Sequence, residues 1–117
     1  MSDARLTHSA KIGGKPLRFY SVREKTFVEF EQFEACIGSS REVRRRHLRK
    51  LHSVCRDKIV LAHIGEVDTT LMPRWMAEAV VGHGRKYHWL AERIADELDA
   101  ALAEAETIAR QERLAAA

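Results

Sequence analysis

Cysteine is scarce in this chain of 117 residues: Cys36 and Cys55 are the only two. Two thiols make no disulfide scaffold, and a reducing compartment keeps them free. There is no CxxC pair. His52 and Cys55, three residues apart on a helical pattern, are the one pairing suited to a shared ligand site, and the spacings of Cys36, His47 and His63 match no structural zinc pattern. The expectation is therefore no metal and no cofactor. No apolar run approaches the roughly 20 residues needed to cross a bilayer. The opening stretch "MSDARLTHSAKIGGK" has no apolar core, so it is not read as a secretory signal, and the expected compartment is the cytoplasm. Internal repeats are absent. Gly13-Gly14-Lys15 lacks the rest of a phosphate loop, and no nucleophile stands out with a base beside it, so the chain is not expected to be an enzyme. "GHGRK", Gly82 to Lys86, has the makings of an anion site at a helix start, but reads more simply as a helix break.

What is present is charge, and it is unevenly placed. Hydrophobic residues make up 45% and charged residues 32%, a mixture that favours a folded domain over disorder. The net charge is only +3. Yet residues 41–58 carry Arg41, Arg44, Arg45, Arg46, Arg49, Lys50, Arg56 and Lys58 against Glu42 and Asp57. Residues 92–106 carry Glu92, Asp96, Glu97, Asp99, Glu104 and Glu106 against Arg93. Such segregation points either to an oriented surface field or to two segments that face each other inside the fold.

The patterning predicts an α+β fold: a β-hairpin and one further strand packed by short helices, with a long C-terminal helix. Residues 1–14 read as a flexible arm, 15–84 as a small α+β domain, and 85–117 as the long helix. In "KPLRFYSV", Leu17 and Phe19 share one face while Arg18, Tyr20 and Val22 share the other; "REKT" turns the chain and "FVEF" resumes the strand. Phe30, Phe33 and Ile37 define a short helix that stops at Gly38. Ser39-Ser40 offers a cap, and Ser39-x-x-Glu42 fits a capping box. Over 41–55, Val43, Leu48, Leu51, Val54 and Cys55 fall on one helical arc. Arg41, Arg45, Arg46, Arg49 and Lys50 fall on the opposite one. "KIVLAHIGEV" reads as a single buried strand. Pro73 starts a helix running to about Val81, with Trp75, Met76 and Val80 as core residues, and "GHG" follows as a hinge.

Residues 85–115 contain neither Gly nor Pro. Tyr87, Ala91, Ile94, Leu98, Ala101, Ala105 and Ile108 form a heptad seam there. One small domain cannot cover so long a helix, so Tyr87, Trp89, Ile94, Leu98 and Ile108 are expected to form a homodimer interface.

A capped helix with five cations on one face suits the DNA major groove, with some contacts to phosphates and one or two to bases. The expected nucleic-acid contacts are Arg41, Arg44, Arg45, Arg46, Arg49, Lys50, Arg56 and Lys58, and the expected partner is double-stranded DNA. Two other readings stay open: a solvated or internally paired face, and a face for an acidic protein.

"TFVEFEQFEACIG" resembles the BRO/antirepressor N-terminal domain of phages and large DNA viruses. In that family an aromatic-Val strand end leads into a short helix closed by an aliphatic residue and Gly, as Phe27-Val28 and Ile37-Gly38 do here. The family's last helix starts with an aromatic residue and a hydrophobic one three later, which Tyr87 and Leu90 resemble. The resemblance spans about residues 15–100. Trp89 falls one place before the family's tryptophan, "DTTLMPRWM" replaces its Gly-containing segment, and no second domain follows. The resemblance implies DNA binding or repressor antagonism in a bacterial host cell. The expected function is a phage-type DNA-binding transcriptional regulator. The alternative is a protein-binding inhibitor, an antirepressor or anti-defence protein, acting through the C-terminal helix.

Overall fold

The computed structural model describes residues 4–116. Its strands are β1 (Arg5–Ile12), β2 (Lys15–Val22), β3 (Lys25–Glu29), β4 (Val60–Ile64) and β5 (Val67–Pro73). Its helices are α1 (Phe30–Cys36), α2 (Arg41–Val54), α3 (Arg74–Lys86) and α4 (Glu92–Ala116). The strands form one antiparallel sheet in the order β1-β2-β3-β5-β4. The α+β class and the long C-terminal helix stand as the sequence implies, but the sheet is larger than a hairpin plus one strand.

Three differences account for the extra strands. Residues 5–12, expected within a flexible arm, pair with β2 along its whole length; residues 1–3 of that arm lie outside the described residues. The run read as a single strand is split by the two-residue turn Gly65-Glu66, which sends β5 back along β4. The "REKT" turn tightens to Arg23-Glu24, with Lys25 and Thr26 already in β3. Arg23 and Glu24 sit at φ +52° and +67°. A two-residue hairpin turn with both φ positive matches strand twist but favours Asn-Gly, because a side chain crowds the backbone there. Gly13-Gly14 solves the same problem in the β1–β2 turn without that cost. Replacing Arg23-Glu24 by Asn-Gly should stabilise the protein by about 1 kcal/mol, read as a higher urea midpoint at unchanged slope.

The main core lies on one sheet face. The row Phe19, Val28 and Met72 crosses β2, β3 and β5. Phe30 and Phe33 of α1, Ala77 and Val81 of α3, and Ala95, Leu98, Ala101, Leu102 and Ala105 of α4 pack onto that face. The other face carries a second cluster built from strands: Tyr20, Val22, Phe27, Ala62 and Leu71. β2 is therefore buried on both faces, and its alternation does not mark a wet side.

The break between the last two helices falls later than expected. α3 runs through Gly82-His83-Gly84 to Lys86, so "GHG" is neither a hinge nor an anion-binding helix start. Gly84 serves a close approach instead: a Cβ there would stand 2.6 Å from the Leu90 Cβ. The chain turns at Tyr87–Ala91, with His88 at φ +57°. Arg85, at the end of α3, holds Asp96 at 2.7 Å and Asp99 at 2.6 Å, pinning the first turns of α4.

Part of the expected seam on α4 is buried, at Leu98, Ala101 and Ala105, and its partner is the chain's own sheet; Tyr87 and Ala91 fall in the turn before the helix and are exposed. Leu98 is 0% exposed, and Ala95, Ala101, Leu102 and Ala105 are buried with it. The end of α4 is tied back by an ion pair between Glu112 and Arg5 of β1. Leu98 is thus removed from the expected dimer interface, and Ile94 and Ile108 are half-covered by their own fold. Tyr87 and Trp89 remain exposed. Trp75, expected in the core, points outward at 56% exposure.

Candidate nucleic-acid interface

α2 begins where Ser40 Oγ accepts a hydrogen bond from Val43 N at 3.2 Å. The cap is therefore Ser40, and Ser39, expected to form the capping box, instead donates to Glu34 Oε2 at 3.4 Å. Fourteen residues give a rod of about 21 Å. Arg41, Arg45 and Arg49 stand at four-residue intervals, about 6 Å apart along the axis, so they form one stripe. Arg46 and Lys50 form a second stripe beside it. All five are exposed, and Arg44 is half-exposed.

Their ionic surroundings separate the readings of this helix. Among the described residues, Arg41, Arg44, Arg45, Arg46, Arg49, Lys50 and Arg56 have no carboxylate within ion-pair distance. Lys58 has only its neighbour Asp57, at 3.7 Å. Most acids of α4 are answered elsewhere, Glu92 and Glu104 excepted among the described residues. Asp96 and Asp99 take Arg85, Glu97 takes Arg93, and Glu106 takes Arg74 at 3.1 Å. The two charged segments do not neutralise each other, and the field of α2 points outward.

The apolar arc of α2 behaves differently from expectation. None of its residues is buried. Leu48 and Leu51 lean on the core, while Val54 is 68% exposed. The helix is tethered by polar contacts as much as by packing. His47 Nδ1 bonds to Glu34, a carboxylate only 4% exposed, and His52 Nε2 meets Thr70 Oγ1 at 3.1 Å. His52 is thereby engaged by β5. Among the described residues no three His, Cys, Asp or Glu side chains converge as metal ligands would.

The two thiols differ in kind. Burial among apolar neighbours pushes the Cys36 thiol up to about 11. Cys55, at the end of α2, is partly exposed. At pH 8, a disulfide reagent such as dithionitrobenzoate should therefore titrate one thiol per native chain promptly and the second only after denaturation. Two fast thiols in the folded protein would contradict the packing of α1.

Among the described residues no helix is long and apolar enough to cross a membrane. Comparison with protein-family models, curated proteins and solved structures gave no match.

Proposed function

We propose that this chain is a DNA-binding transcriptional regulator of phage type, acting in the cytoplasm of a bacterial host, which lays α2 against double-stranded DNA. The observation that carries this reading is the set of exposed cations gathered on a single capped helix, with no carboxylate partner among the described residues; unpaired cations elsewhere, such as Lys11, Arg23 and Lys86, are scattered. An ordinary solvated helix mixes signs or pairs them at i, i+4, as α4 does with Arg93 and Glu97. The major groove is about 12 Å wide and admits one helix. Arg41, Arg45 and Arg49 would track phosphates, and Arg46 and Lys50 flank them, with one or two of the five reading base edges. Guanidinium forks suit both tasks. Arg56 and Lys58, in the loop after α2, would add to the positive field that draws the duplex in, without a phosphate contact of their own. The BRO/antirepressor resemblance is consistent with this reading.

The test is Arg45→Ala combined with Arg49→Ala. Both side chains lie outside the core, so far-UV circular dichroism should not change. Binding to duplexes of unrelated sequence should weaken by a similar factor. The salt slope should flatten by about 1.8, at about 0.9 for each phosphate no longer neutralised. A folded variant with unchanged affinity removes α2 as the contact surface.

A further inference from the structure

Beneath α2 lies a cleft of about 300 Å³, walled by α1, α2, α3, β5 and Trp89. Its lining is almost wholly apolar, with Phe33, Leu51, Met72, Met76, Val80 and Trp89 as the main surfaces. The cleft opens to solvent, and what sets it apart from the chain's other surface grooves is its apolar lining and not its size. It exists because α2 buries none of its residues against the body. The volume falls at the lower end of small-molecule sites. Two methionines in the walls suit an adaptable site, because their side chains reshape at low cost.

The polar groups at the rim choose the head group. Glu34, His47 and Lys50 are the polar side chains on the lining. Glu34 is already engaged: one oxygen bonds to His47 Nδ1 and the other accepts from Ser39 Oγ. The Lys50 ammonium has no carboxylate partner among the described residues, and it sits in the most basic segment of the chain. We infer that this cleft binds a small amphipathic organic anion, a carboxylate with an apolar body of about ten atoms, with the body against Met72, Met76 and Trp89 and the head at Lys50. Lys50 is shared with the nucleic-acid reading, but the test involves no DNA, so the two readings fail separately. The occupant would also have a mechanical effect: filling the cleft would give α2 the packing it lacks.

Trp89 lines the cleft and Trp75 does not, so a Trp75→Phe chain reports on the cleft by fluorescence. The probes are octanoate, octan-1-ol and octylammonium, which share a body and differ in head. Octanoate should give a saturable, single-site change in Trp89 emission with half-saturation at about 0.1–1 mM. Octan-1-ol should bind about fivefold more weakly, and octylammonium more weakly still. Lys50→Ala should bring octanoate to the level of octan-1-ol and leave octan-1-ol unchanged, whereas Lys50→Arg should retain the preference. Hydrogen exchange should slow across residues 41–54 when octanoate is bound. No saturation by about 10 mM overturns the inference. So does equal response to the three probes, which makes the cleft a greasy patch without a head-group preference. A chain that sediments as a dimer with Trp89 shielded and unresponsive also overturns it, by giving the cleft to a second copy.

Discussion

A Leu98→Glu chain is expected not to fold. Leu98 has no exposed surface and is enclosed by the sheet and by its own neighbours Ala95, Ala101 and Leu102. Shortening such a leucine to alanine costs about 2–5 kcal/mol, from reduced burial and the cavity left behind. Glutamate does worse, because an unpaired carboxylate must lose its water in an apolar core or take up a proton there. Added together, these costs rival the roughly 5–15 kcal/mol by which a domain of this size is stable. Ile108→Glu is the control. Ile108 is half-exposed near the end of α4, so its glutamate can reach water, and the loss should be about 1 kcal/mol. Circular dichroism and urea titration of the two variants separate two uses of the seam. If α4 used it to pair with a second chain, Leu98→Glu would give a folded monomer. If α4 uses it to cover the sheet, Leu98→Glu gives an unfolded or aggregated chain while Ile108→Glu keeps its transition.

That contrast also shows how much the sequence could reveal. The period of α4 was legible, and with it Leu98, Ala101 and Ala105, but the buried stripe also takes in Ala95 and Leu102, which the heptad seam left out. Periodicity states that a face is covered but not by what, and the sheet that covers it includes a strand invisible to pattern reading. β1, "RLTHSAKI", is such a strand. It lies at the sheet edge, only Ile12 in it is buried, and its place is set by backbone pairing with β2 instead of by alternating apolar residues. The tight turn at Gly65-Glu66 hid β5 for a related reason, since two residues inside a β-branched run are easily read as part of the strand. Gly84 misled in the opposite direction. Its glycine answers the approach of Leu90, a contact that exists only once the chain has folded back. The candidate interface was legible at the level of charge, because helical spacing alone puts Arg41, Arg45 and Arg49 on one side. The cleft on the other side of α2 was not legible. The apolar arc of Leu48, Leu51 and Val54 predicted burial, and no pattern within one helix reports how closely its neighbours approach.

The affinity of the wild-type chain for DNA should collapse over a modest range of salt. Of the five outward cations on α2, four are assigned to phosphates, allowing one for a base. Each phosphate neutralised releases condensed counterions, so the logarithm of the affinity should fall with the logarithm of salt at a slope of about −3.6. Between 50 and 200 mM salt, that slope weakens binding by about 150-fold. A protein-binding inhibitor would behave otherwise, because a mixed interface gains most of its affinity from apolar burial that salt does not screen. The most direct measurement is therefore a fluorescence-anisotropy titration of a short labelled duplex with the wild-type chain at several salt concentrations from about 50 to 200 mM. The account predicts binding at the lowest salt and a log–log slope between about −3 and −4. No binding at about 50 mM salt, or a slope near zero, would contradict it.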